Sequence, residues 1–324
     1  MDDVTARDIL EAYRRVRPLV DRTPLEPSPA LVERCGAEIL LKMEQAQRTG
    51  SFKPRGALNV LHRLRGTVPG VITASAGNHA LGVAYASRHL GVPAVVVVAE
   101  TASAAKVAAL RRWPVELVQA GRDYDAAEAH ARALSRERGW PYLTPYNDPA
   151  IIAGHGTVAV EIFQDLPETD VLLVPVGAGG LISGMAVYAK TVNPRCTVIG
   201  IQAEASPALV EARRQGRVVP VAVMPTLADG LAGNIDADSM TFTLIERYVD
   251  DVLLVSESSI ARAILWLLEE HRVLIEGSGA VGVAVLLERQ VRPKPGSRVV
   301  AVLTGRNVAA DALKRLLADT SGRA

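Results

Sequence analysis

Val171-Leu172-Leu173-Val174-Pro175-Val176-Gly177-Ala178-Gly179-Gly180-Leu181 is a run of six apolar residues that opens into four small ones. An unbroken apolar run of this length is what a strand buried on both faces needs, since neither face meets water. The small residues allow a tight turn, and the segment Leu181 to Val192 reads as the helix that follows. The same grammar recurs along the chain. Val71-Ile72-Thr73-Ala74-Ser75 reads as a strand closing at Gly77, with a helix through Leu90. Ala94-Val95-Val96-Val97-Val98 is apolar at every position, and Val115-Glu116-Leu117-Val118 precedes a helix from Tyr124 to Arg138. Val198-Ile199-Gly200-Ile201 and Val299-Val300-Ala301-Val302-Leu303 complete the series. Strands that are apolar throughout and alternate with helices imply parallel sheets covered on both faces, an α/β fold. The stretch from Gly216 to Asp238, with Pro220 and Pro225, is too long for a simple connector and reads as a functional or packing loop.

The chain has 324 residues, 49% of them hydrophobic, and a formal net charge of +1. That length admits two domains or one large one, and the charge balance points to neither a nucleic-acid nor a membrane partner. The pairs Arg111-Arg112 and Arg213-Arg214 read as solvated helix faces. Two cysteines, Cys35 and Cys196, make neither a disulfide framework nor a zinc site, and are expected to be reduced thiols in a cytoplasmic protein. Met1-Asp2-Asp3-Val4 lacks the layout of a signal peptide, and no apolar run approaches the roughly 20 residues that span a bilayer. The last helix is predicted to end near Ala318, before the tail Thr320-Ser321-Gly322-Arg323-Ala324, with no room expected for a regulatory domain.

Gly50-Ser51-Phe52-Lys53-Pro54-Arg55-Gly56-Ala57 places a lysine beside a phenylalanine in a Ser/Gly-bracketed loop. Desolvation there favours the neutral amine, and a neutral amine attacks carbonyls, which is how lysines anchor pyridoxal phosphate. An exposed or anion-binding lysine is the plainer alternative. In Thr73-Ala74-Ser75-Ala76-Gly77-Asn78-His79-Ala80, a turn delivers Ser75, Asn78 and free backbone amides to one point at a helix start. That arrangement suits a carboxylate, or simply a Ser/Asn helix cap. The loop Gly177 to Leu181 lets amides surround a compact phosphate. A dinucleotide fingerprint fits poorly, because its third glycine would fall at Ile182. Leu303-Thr304-Gly305-Arg306-Asn307 ends a strand where ligands gather in parallel sheets, with a hydroxyl that could equally be a cap. Glu276-Gly277-Ser278-Gly279-Ala280 reads as another strand-to-helix turn, with a carboxylate able to face the same cleft.

Together these motifs resemble the fold-type II pyridoxal phosphate enzymes, in particular the threonine dehydratase and serine racemase branch. Ser51-Phe52-Lys53-x-Arg55-Gly56-Ala57, Ser75-x-Gly77-Asn78-His79, a helix start at Ala153-Gly154-x-Gly156-Thr157, the loop 177–181, Ala228-Asp229-Gly230 and Thr304-Gly305-x-Asn307 occur in that family's order, from about residue 5 to 318. The resemblance implies two open parallel-sheet domains with the cofactor in the cleft. The large domain would comprise 1–54 and 148–324 and the small one 55–147. It implies Lys53 as Schiff-base lysine and catalytic base, with Phe52 and Asn78 flanking the pyridoxal ring. Gly177, Ala178, Gly179, Gly180 and Leu181 would hold the phosphate, and Thr304 would meet the pyridine nitrogen. Ser75, Ala76, Asn78 and His79 would form the substrate-carboxylate loop. Glu276 and Arg306 are further cleft candidates.

A neutral hydroxyl at the pyridine nitrogen leaves the ring a shallower electron sink than an aspartate would, which suits prompt loss of a β-leaving group. The implied activity is therefore dehydration and deamination of L-threonine or L-serine to a 2-oxo acid and ammonia. Similar racemases carry a serine where this chain has Ala76, and metal-ligating acids where it has Gln202 and Ala208, so neither racemisation nor a metal site is expected. His155 stands where glutamine is common and reads as structural. The alternatives are an amino-acid racemase, a 3-hydroxyaspartate dehydratase, a non-catalytic pyridoxal phosphate binder and, most distantly, a nicotinamide oxidoreductase. The implied assembly is a homodimer or homotetramer.

Overall fold

Nine strands, β1 (Leu25–Pro27), β2 (Glu38–Lys42), β3 (Val71–Ala74), β4 (Ala94–Val98), β5 (Glu116–Gln119), β6 (Val171–Pro175), β7 (Thr197–Ala203), β8 (Asp251–Val255) and β9 (Arg298–Val302), form two sheets among the described residues. The structure is a computed structural model that describes residues 3–321, so the parts of the sequence reading that fall on residues 1–2 and 322–324 lie outside the described residues. The larger sheet runs β1-β2-β9-β6-β7-β8, and every pairing in it is parallel except β1 with β2. The smaller sheet, β3-β4-β5, is parallel throughout. β9, near the end of the chain, lies between β2 and β6, with Ala301 opposite both Leu41 and Leu173.

The apolar runs explain this layering. Along β9, Val300 and Val302 join one core cluster with Leu172 and Val174, while Val299 and Ala301 join another with Leu41 and Leu173. Alternate side chains of a strand leave opposite faces, so both faces of the sheet are covered. On one face the helices Pro149–Asp165 and Gly180–Val192 cross with almost no side chain between them. A Cβ on Gly184 would stand 2.2 Å from the Ile152 carbonyl oxygen, and one on Gly156 would stand 2.8 Å from that of Gly184. Helices Glu257–His271 and Gly277–Leu287 contribute to the other face.

Two expectations need correction. Ala153-Gly154-x-Gly156-Thr157 is not a helix start. The helix begins at Pro149, capped by Asp148, whose carboxylate accepts from the amides of Ala150 and Ile151. The glycines instead mark close backbone approach, since a Cβ on Gly154 would lie 2.5 Å from the Arg55 carbonyl oxygen. The turn at Glu276 is likewise not preceded by a strand. Residues 273–276 connect two helices outside either sheet, with Ile275 buried and the Glu276 amide donating to the Gly305 carbonyl (3.0 Å). The stretch from Gly216 to Asp238 is irregular apart from the short 3-10 turn Asp229–Leu231, and the last helix is Ala310–Ser321. Cys196 is buried and Cys35 half-buried, both as free thiols.

Candidate active site

Lys53 stands at the N-cap of the helix Pro54–Leu64, beside the carboxyl end of β9. The backbone holds it there. Ser51 forms an antiparallel bridge with Gly305, the Phe52 amide donates to the Thr304 carbonyl (3.2 Å), and the Arg306 amide donates to the Gly50 carbonyl (2.9 Å). From the other side the helix Asn78–Leu90 presses on the lysine backbone through Gly82, where a Cβ would fall 3.0 Å from the Lys53 carbonyl carbon. The amine donates to the Pro145 carbonyl (3.3 Å) and lies 4.9 Å from the centre of the Phe52 ring. Burial is the main influence on it and outweighs the attraction of Glu276, bringing its pKa down to about 8.

The carboxyl ends of β3, β6 and β9 supply the other predicted residues except Phe52 and Glu276, as expected for a ligand site in open parallel sheets. After β3, the Ser75 hydroxyl accepts from the Gly77 amide (3.1 Å), and the helix from Asn78 starts without a side-chain cap. Ala76 is half-buried. The Asn78 side chain donates to Glu276 (2.7 Å) and accepts from Asn307 (2.7 Å), while the Asn307 amide donates to the second oxygen of Glu276 (3.0 Å). This triangle joins the end of β3 to the end of β9. Burial, reinforced by Asp229, lifts the Glu276 carboxyl to about 7 even though these two donors favour its anion.

After β6, Gly179 has φ +94°, and the helix from Gly180 also lacks a side-chain cap. Its first amides therefore have no partner inside the helix. The loop is pressed between two backbones, since a Cβ on Gly177 would lie 3.2 Å from the Leu231 Cα and one on Gly180 2.9 Å from the Tyr146 Cα. Thr241 donates to the Ala178 carbonyl (2.7 Å) and so holds the loop against the helix that begins at Met240. Leu181 is buried, as is Thr304, whose hydroxyl donates to the Ser278 carbonyl (3.4 Å).

The His79 ring and the Arg306 guanidinium make no hydrogen bond within this convergence. The His79 ring is buried, and neither nitrogen makes a hydrogen bond of ordinary geometry. Burial, with Lys53 adding repulsion, pushes its pKa down to about 3, so the ring is neutral and its helix-start amide is what it can offer a carboxylate. Arg306 is exposed, and among the described residues its guanidinium has no ion pair or hydrogen bond. Of the two positions where similar racemases carry metal-ligating acids, Ala208 is buried and Gln202 serves the local fold. The Gln202 side chain accepts from the amides of Leu209 and Val210 and donates to the Gly177 carbonyl (3.4 Å), acting as a cap for the helix Ala208–Gln215. His155 is buried and meets Phe52 edge-on, with ring centres 4.8 Å apart.

Asn307 belongs to a quoted motif yet carries no role in the sequence reading, although an asparagine two residues past a strand-end glycine is an available signal. The Pro145 carbonyl and the buried charges around Arg55 give no local signal, because their partners come from distant parts of the chain.

A compact anion cradle, a desolvated lysine and a neutral hydroxyl near these strand ends fit the phosphate, aldehyde and ring nitrogen of pyridoxal phosphate. A family model described as pyridoxal-phosphate dependent enzyme matches residues 16–305. The chain belongs to the pyridoxal-phosphate-dependent enzymes. Among members of this family, the L-threonine ammonia-lyase of Thermotoga maritima is 43% identical over 316 residues, 97% of this chain and 78% of that protein. The catabolic L-threonine dehydratase TdcB of Escherichia coli is 37% identical, covering 94% of this chain and 93% of that protein. Maize serine racemase superposes with a TM-score of 0.91 at 29% identity, covering 99% of this chain and 98% of that structure.

Proposed function

We propose that this pyridoxal phosphate enzyme is an ammonia-lyase that converts L-threonine, and also L-serine, to a 2-oxo acid and ammonia. The observation that carries the proposal is Lys53, a shielded amine held beside the carboxyl end of β9 and against the helix that follows β3. Two relatives named for threonine, matching nearly the whole chain, support the choice of substrate.

Lys53 would be the covalent anchor of the cofactor. The amides of Gly177, Ala178, Gly179, Gly180 and Leu181 would hold its phosphate, Phe52 and Asn78 would flank its ring, and Thr304 would face its ring nitrogen. Bound pyridoxal phosphate supplies an electron sink at the substrate's α-carbon. The chain's residues do the rest. With its pKa near 8, the Lys53 amine is neutral in a useful fraction of molecules at mildly alkaline pH and can take the α-proton. The uncapped start of the helix Asn78–Leu90, shaped by Ser75, offers amides to the substrate carboxylate. Ala76 has no proton to deliver to the opposite face, which favours loss of the β-hydroxyl as water over inversion. The Thr304 hydroxyl brings no charge to the ring nitrogen.

The division into a large domain, 1–54 with 148–324, and a small one, 55–147, belongs to the same proposal. The sheet β3-β4-β5 lies wholly within 55–147. Closure of the two over the substrate would exclude water. A homodimer or homotetramer in the cytoplasm completes the proposal. No helix among the described residues is long and apolar enough to cross a membrane.

A panel of L-threonine, L-serine and 3-hydroxyaspartate, assayed for 2-oxo acid with chiral analysis of the remaining substrate, tests the assignment. The expected result is oxo acid from threonine, reduced by about 10³-fold or more in Lys53→Ala. Inversion with little oxo acid would make the enzyme a racemase. A yellow protein that consumes no substrate would make it a cofactor binder.

A further inference from the structure

We infer that the buried cluster of Lys42, Glu44, Arg55 and Glu161 is a positioning device for Lys53, fixing the first turn of the helix Pro54–Leu64 against the helix Pro149–Asp165. The inference rests on the role proposed above for Lys53.

All four side chains are essentially sealed from solvent, and their charges balance as two cations and two anions. Arg55 lies two residues beyond the lysine. Its guanidinium makes two forks, one to Glu44 (Nε to Oε2 and Nη2 to Oε1, both 2.8 Å) and one to Glu161 (Nη1 to Oε1 at 2.8 Å, Nη2 to Oε2 at 2.9 Å). The remaining donor reaches the Thr157 hydroxyl at 3.3 Å, so all five N–H groups have acceptors. Lys42 donates to Glu161 (2.6 Å) and to the Thr23 carbonyl (2.7 Å), and the Thr23 hydroxyl donates to Glu44 (2.5 Å).

The geometry points at the lysine's own turn. Gly154, Thr157 and Glu161 fall on one face of their helix at spacings of three and four residues, and all three meet Arg55. Gly154 receives the Arg55 backbone, and the other two receive its side chain. The backbone of Lys53 is therefore trapped between Gly82 on one side and a turn clamped through Arg55 on the other. Stability alone is a poor reason for such a cluster, because well-packed apolar residues often serve as well as buried ion pairs. What ion pairs add is direction. A guanidinium in two forks accepts one orientation, which an ammonium or a methyl group does not enforce.

The test uses two variants, Arg55→Lys, which keeps the charge and loses both forks, and Lys42→Met with Glu161→Met, which removes one cation and one anion and stays neutral. Acetylation of Lys53 in cofactor-free protein is followed against pH by peptide mapping, beside the thermal midpoint and the rate of pyridoxal phosphate release. Positioning predicts that the Lys53 midpoint rises toward the ordinary lysine value of about 10.4. Release should quicken about tenfold, as when outer partners of a site ligand are lost. Variants that fold normally with an unchanged lysine profile and release rate overturn the inference. Failure of both to fold overturns it too, since the cluster would then be a folding determinant. None of these readouts uses a substrate, so a chain that failed the amino-acid panel could still show the lysine shift.

Discussion

Burial lowers the proton affinity of Lys53 to about pH 8, whereas the unfolded chain keeps that proton up to about pH 10.4. Between those values the unfolded state binds more protons, so stability rises with pH across the window and the charged amine is a burden below it. Lys53→Met in the cofactor-free protein should therefore melt a few degrees above wild type at about pH 7. The gain should fade by about pH 10.4, and calorimetry at the two pH values checks it. Glu276 is displaced in the opposite sense. Burial and Asp229 lift its carboxyl to about 7, which places a titrating group in the cleft at neutral pH. The pH–rate profile of the wild type should carry a limb near neutrality that Glu276→Gln lacks, and an identical limb in the variant would assign it elsewhere.

At the scale of elements, the crossing of Pro149–Asp165 with Gly180–Val192 depends on missing side chains. Gly184→Ala should cost about 1–3 kcal/mol, because the obstacle at 2.2 Å is a backbone carbonyl that cannot step aside. Urea denaturation reads this directly. Gly179→Ala combines φ +94° with a contact 2.6 Å from the Ile245 side chain, and should release pyridoxal phosphate at least several-fold faster, measured by absorbance. Strands such as Ala94–Val98 are legible in the sequence because burial on both faces leaves an unbroken apolar run. The same rule fails before Glu276, since Val273-Leu274-Ile275 is an apolar run in which only Ile275 is buried, and it has no ladder partner. The glycines at 154 and 156 resemble a helix start because close packing and turning select the same residue. Lys53, Asn78, the 177–181 loop and Thr304 stand out because each follows its own turn signal. The forks on Arg55 join residues 44, 55 and 161, and no local pattern records such a meeting.

Across the whole molecule, the segment 216–226 is an extended irregular surface, with Val223 and Met224 exposed. Limited trypsin digestion should cut first after Arg217, read by mass spectrometry, because exposed irregular backbone adapts to a protease more readily than packed helices. The strand order is not readable from the sequence, since parallel pairing of β2 with β9 is settled by packing between the two ends of the chain. That pairing also bears on the timing of biogenesis. Lys53 leaves the ribosome early, but the backbone that seats it, residues 303–307, follows roughly 250 residues later, on the order of 12–50 s at ordinary synthesis rates. The nascent lysine thus waits unshielded until residues 303–307 have emerged, and the holoenzyme can mature only after that point.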